Sequence, residues 1–80
     1  MYTHPYLRQA ALKHKALGNE RRLRIIELLK ENERTGASLL KDLGVTAPAI
    51  SKHLRCLLLA GIIDGRRKGG EVYFRFTNNV

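Results

Sequence analysis

Apolar residues recur with a helical period along most of this chain and with a period of two only near its end. From Pro5 to Leu17, one face carries Leu7, Ala10, Ala11, His14 and Leu17. Pro5 suits a first helical turn, where its missing N–H costs nothing, and Gly18 supplies the stop. Asn19 is a good N-cap for a second helix, and Glu20 sits at that helix's positive end. Leu23, Ile26, Leu29 and Lys30 then recur at helical spacing, with Ile25 and Leu28 widening the stripe. A stripe that wide predicts a helix buried around much of its circumference. Glu31 to Thr35 is polar and breaks the pattern. A short third helix is expected from about Ala37 to Leu43, with Leu39, Leu40 and Leu43 inward.

Gly44-Val45-Thr46-Ala47-Pro48 reads as a tight turn opening a fourth helix. Gly44 permits a left-handed conformation, and Val45 anchors the turn to the core. Thr46 is the expected N-cap. Ala47 is the alternative, because the residue before a proline avoids the α region. Ile50, Leu54, Leu57 and Leu58 form the stripe of this helix at i, i+4, i+7 and i+8, and Gly61 ends it. Ile62-Ile63 opens a strand. Val72, Phe74 and Phe76 alternate with Tyr73, Arg75 and Thr77, which predicts a second strand. Arg66-Arg67-Lys68-Gly69-Gly70 lies at the hairpin tip. Met1 to His4 is expected to be loosely held. The expected fold class is mainly α with a β-hairpin, in one domain spanning residues 1–80 without internal repeat or linker. A chain of this length buries roughly 60–65% of its unfolded surface, so its stability margin is thin and association would widen it.

The net charge is +8, from 15 Lys and Arg against 7 Asp and Glu. That excess favours a polyanionic partner, nucleic acid first and an anionic membrane second. One cysteine excludes a disulfide within the sequence. With no apolar run of transmembrane length and no signal-peptide core, it predicts a reducing, cytoplasmic setting and no membrane partner.

Three helices, a sharp turn into a fourth and a basic hairpin follow the order of a winged helix-turn-helix. The segments Leu17-Gly18-Asn19-Glu20-Arg21-Arg22-Leu23-Arg24-Ile25-Ile26, Leu43 to Leu54, Ala60-Gly61-Ile62-Ile63, Arg66-Arg67-Lys68-Gly69 and Val72-Tyr73-Phe74-Arg75 resemble the ArsR-type family of transcriptional repressors. The resemblance runs from about Lys15 to Thr77 and implies a homodimeric double-stranded-DNA-binding regulator. Many members of that family sense metals or thiol chemistry. Those resembling this chain open the third helix with a Cys-x-Cys pair, where Thr35 and Ala37 stand here. The family also usually adds a terminal helix that packs in the dimer and often carries further metal ligands, whereas this sequence ends at Val80 after the strand. The resemblance therefore carries over neither a metal site nor that part of the dimer, and no cofactor is expected.

Thr46, Ala47, Pro48, Ala49, Ser51, Lys52 and Arg55 lie at the front or outer side of the fourth helix, the part of a helix-turn-helix that meets base edges. Ser51 donates or accepts, and Lys52 and Arg55 reach phosphate or guanine. Ala47 and Ala49 offer at most contact with thymine methyls, so DNA shape is expected to share the specificity. Arg66, Arg67 and Lys68 form the wing and are expected on the phosphate backbone, with minor-groove insertion the sharper alternative. The plain alternative for both sets is a solvated basic surface. His53 and Cys56, at i, i+3, have a metal-ligand spacing, but two donors do not make a site. Cys56 is expected to pack as a half-buried apolar group. Leu59 projects away from the stripe and is expected to be exposed. Leu7, Ala10, Ala11 and His14 are the expected dimer contact. No catalytic set is present. The expected function is promoter occlusion by a sequence-specific repressor. The alternatives are a winged-helix module for an acidic protein, a metal or thiol sensor using Cys56, and a binder of RNA duplex or Z-form nucleic acid.

Overall fold

A computed structural model describes residues 5–77; the reading of Met1 to His4 falls outside them. Four helices, α1 (Pro5–Leu17), α2 (Glu20–Glu31), α3 (Gly36–Leu43) and α4 (Ala47–Leu59), precede a hairpin of β2 (Ile63–Lys68) and β3 (Glu71–Phe76). A two-residue strand, β1 (Arg34–Thr35), pairs antiparallel with β3, so the hairpin belongs to a three-stranded sheet of order β1-β3-β2. Nothing in the period of the polar segment predicts β1. Its position rests on Arg34, which donates to Leu28 O and to the carboxylates of Glu31 and Asp42.

Local chemistry sets the helix ends. Asn19 accepts from the Arg22 N–H, Thr35 from Ser38 and Thr46 from Ala49, so each side chain caps one helix. Thr46, not Ala47, is the cap of α4, and Pro48 sits within the first turn, where no intrahelical donor is lost. Gly44 takes φ +64°, the left-handed geometry that a side chain disfavours. Gly69 and Gly70 join β2 to β3 as a two-residue loop with both φ angles positive, the twist that suits a tight hairpin.

The core joins Ala16 of α1, Ile25, Ile26, Leu28 and Leu29 of α2, Leu39 of α3, Ile50, Leu54 and Leu57 of α4, and Ala60, Ile62 and Ile63 beyond it. Phe74 and Phe76 pack on it from β3. Thr77 Oγ1 donates toward Gly61 O and Ile62 O, both at 2.8 Å, and ties the end of β3 to the turn after α4.

The faces of α2 and α4 differ from expectation, and that of α1 shows which side meets the core. On α2 the buried residues are Arg22, Ile25, Ile26, Leu28 and Leu29, and Leu23 is exposed. On α1 the core side carries Leu12 and Ala16, while Leu7, Ala11 and His14 point the opposite way and are exposed. On α4, Leu58 leaves the stripe and is 40% exposed. At 100° per residue it lies about 80° around the helix from Ile50, too far to reach the core.

Candidate nucleic-acid interface

α4 has two opposed faces. Ile50, His53, Leu54 and Leu57 are buried. Pro48, Lys52, Arg55 and Leu59 run along the other side at i, i+4, i+7 and i+11, all exposed, with Ala47 and Ser51 beside them. Ala49 is half-buried. The Thr46 hydroxyl is exposed but occupied as the cap, accepting from Ala49 at 3.4 Å. No acidic residue lies on α4, so its exposed face is cationic throughout its polar length.

The wing cations lie on β2 and are not equivalent. Alternation along β2 puts Arg66 and Lys68 on one face and Arg67 on the other. Arg66 Nη2 lies 3.5 Å from a Glu33 carboxylate oxygen. Lys68 Nζ stands 5.8 Å from the centre of the Tyr73 ring, a cation–π contact. Arg67 makes neither kind of contact among the described residues, and it shares its face with Val72 and Phe74. Below the tip, Asp64 and Arg75 pair across the strands at 2.8 Å. That hydrogen bond holds the Asp64 carboxyl below the usual carboxylate range.

A buried polar link positions α4. Arg22 Nε donates to His53 Nδ1 at 3.2 Å, and Arg22 Nη1 donates to Lys15 O at 3.0 Å. One guanidinium thus connects the end of α1, the start of α2 and the middle of α4. Burial first, then the charges of Arg22, Arg21 and Lys52, lower the pKa of His53 from its ordinary value. A neutral imidazole is what accepting at Nδ1 requires. The sequence reading missed this pair. Its available signal was Arg22 itself, a charged residue at the head of the apolar repeat Ile25, Ile26 and Leu29.

His53 faces Arg22 rather than a metal partner, and no group of three His, Cys, Asp or Glu side chains among the described residues is placed to hold an ion. Cys56 is half-buried against the core. No helix among the described residues is long and apolar enough to cross a membrane.

Residues 19–64 match the family described as bacterial regulatory protein, arsR family. The chain belongs to that family. It is 36% identical over 71 residues to the transcriptional regulator Rv0324 of Mycobacterium tuberculosis, covering 89% of this chain and 31% of the relative. It is 32% identical over 66 residues to the transcriptional repressor SdpR of Bacillus subtilis, covering 82% and 73%. The chain spans 31% to 48% of the length of the first curated relatives it matches. Among solved structures, the homodimeric winged helix-turn-helix DNA-binding domain Mb0332 of Mycobacterium bovis superposes with a TM-score of 0.85 at 34% identity, covering 91% of this chain and 68% of that one. The arsR-family fold here is thus a winged helix-turn-helix, with α3 and α4 as the helix pair and β2–β3 as the wing. Where the resemblance would place metal-binding thiolates, Thr35 serves as the N-cap of α3 and Ala37 is exposed.

Proposed function

We propose that this chain is a sequence-specific, double-stranded-DNA-binding transcriptional regulator, a cytoplasmic repressor without enzymatic activity that occludes a promoter as a homodimer. The observation that carries this reading is the acid-free outer face of α4, projecting from a buried stripe beside a basic wing. An α-helix fits the major groove, and the first turns of the second helix of the pair meet base edges there. Ala47, Pro48 and Ala49 are small enough to let the backbone approach. Ser51, Lys52 and Arg55 then reach bases or phosphates, and Thr46 holds the entering turn. Arg66, Arg67 and Lys68 meet the flanking backbone.

The dimer contact is the outer face of α1. Leu7 is 63% exposed there, and Ala10, Ala11 and His14 leave room for a second helix to approach closely. The Mb0332 domain, which is homodimeric, supports this assembly by likeness of fold. Two recognition helices held by such a dimer read half-sites one helical turn apart, about 34 Å.

Selection of bound sequences from random duplex DNA tests the reading. Palindromic sites with that spacing are expected, and a pool that enriches for no sequence contradicts it. An Ala10→Glu variant, compared with the wild type by sedimentation equilibrium, is expected to be monomeric and folded and to lose operator affinity. A wild-type monomer at tens of micromolar, about the range of a weak association, contradicts the solution dimer.

A further inference from the structure

A cleft of about 180 Å³ opens between α1, the start of α2 and the outer side of α4, lined by Leu12, Lys15, Arg22, Lys52, Arg55, Cys56 and Leu59. Four of its seven lining residues are cationic and none is acidic. Two wider concavities elsewhere on the surface are different, since each mixes bases with acids: Arg21 and Arg24 with Glu20 and Glu27, and Arg34 and Lys68 with Glu33 and Glu71.

Arg22 makes this cleft a site rather than a basic surface. It is only 8% exposed, yet no carboxylate pairs with it among the described residues. Its two hydrogen bonds go to neutral acceptors, the His53 ring nitrogen and a backbone carbonyl. A guanidinium carries five N–H donors, so an edge of it remains for the cleft. A buried charge without a counter-ion is costly, and an anion is the ligand that relieves it. Leu12, Leu59 and the half-buried Cys56 add an apolar wall beside that edge. The volume is below the roughly 300 Å³ at which drug-sized sites begin, so the ligand is small.

We propose that this cleft binds a small organic monoanion, a carboxylate with a short apolar body. Its carboxylate pairs with Arg22, Lys15 and Arg55, and its body lies against Leu12, Cys56 and Leu59. Because Lys52 and Arg55 also belong to the outer face of α4, the bound anion competes with duplex DNA for them. That last consequence rests on the proposed DNA reading; the site itself does not.

Cys56 lines the cleft and serves as the reporter. The rate of its alkylation by iodoacetamide is measured on the whole chain with benzoate, hexanoate, neutral benzamide or matched chloride, first without DNA. Benzoate and hexanoate are expected to slow alkylation saturably, with half-saturation at or below about 1 mM, and to shift the amide resonances of Leu12 and Leu59. Benzamide and chloride are expected to do neither. Lys15→Gln and Arg55→Gln, both at exposed positions, should each weaken the carboxylates about tenfold with unchanged thermal unfolding. No protection by either carboxylate at about 20 mM overturns the site. Equal protection by benzamide overturns anion recognition. Protection by a short duplex but by neither carboxylate reassigns the cations to the DNA backbone and also overturns it. In the second arm, benzoate is expected to lower duplex affinity. If the carboxylates protect but no duplex binds at all, the site stands and the DNA reading falls.

Discussion

α4 and the wing are both basic and exposed, yet they hold their cations in different ways. On α4, Lys52 and Arg55 project from a helix whose opposite side is fixed by Ile50, Leu54 and Leu57, at 4%, 5% and 0% exposure. No acid competes for them along that helix. In the wing, Arg66 is drawn to Glu33 and Lys68 to Tyr73, on a two-glycine turn with no core beneath its tip. The helix offers charge on a rigid support. The wing offers Arg67 at once and Arg66 only after Glu33 lets go. Rigid placement suits reading base edges, whereas a partly self-satisfied tip suits adjusting to a backbone.

The first way to break that contrast is to remove the support. Leu57→Ala deletes a fully buried side chain and should destabilise the fold by about 2–5 kcal/mol. Arg67→Ala, at the exposed tip, should change stability by less than about 0.5 kcal/mol. Urea unfolding of both variants measures the difference, and comparable losses would erase the distinction between the two regions.

The wing's internal order is tested next. Arg67→Ala should weaken duplex binding more than Arg66→Ala, because Arg66 must first leave its ion pair. Glu33→Gln should strengthen binding by releasing Arg66. Each lost phosphate contact lowers the salt slope of log K by about 0.9. Titrations at several salt concentrations check all three. Equal losses for the two arginines, with no gain from Glu33→Gln, would show that the Glu33 pair does not restrain the wing.

The smallest effect expected is on pH dependence. The folded-state pKa of His53 lies below its ordinary value of 6.5, lowered first by burial and then by Arg22, Arg21 and Lys52. As pH falls through 6.5 the unfolded chain takes up that proton before the folded one does. The contribution to stability is therefore complete above about pH 6.5 and declines below it. Thermal unfolding at pH 7.5 and 5.5 should show a steeper acid loss for the wild type than for His53→Gln. Identical losses would remove His53 from the account.

Much of this molecule is legible in the sequence where the determinant is local. Asn19 and Thr46 are caps by their own chemistry, Gly44 bends where only glycine is at ease, and the outer residues of α4 follow from its period. What escapes is set by distant partners. β1 exists because Arg34 is held by Leu28 O, Glu31 and Asp42 while its backbone meets Phe74. Arg22 and His53 are 31 residues apart, and no periodicity joins two polar side chains. The spacing along α1 does not say which side meets the core, because Leu12 and Ala16 are held there by partners on other elements. The unequal wing cations follow from strand register, which places Arg66 opposite Tyr73 and within reach of Glu33.

The central claim is that α4 reads sequence while the wing supplies position. It is tested most directly by comparing Lys52→Ala, Ser51→Ala and Arg67→Ala on a selected operator and on a shuffled duplex, across a range of salt. At least one of the two α4 variants should lose about 1–3 kcal/mol of discrimination at a defined base pair. Arg67→Ala should weaken both duplexes alike and reduce the salt slope, leaving the preference intact. Uniform loss on both duplexes for both α4 variants, or a loss of preference confined to Arg67→Ala, would contradict the account.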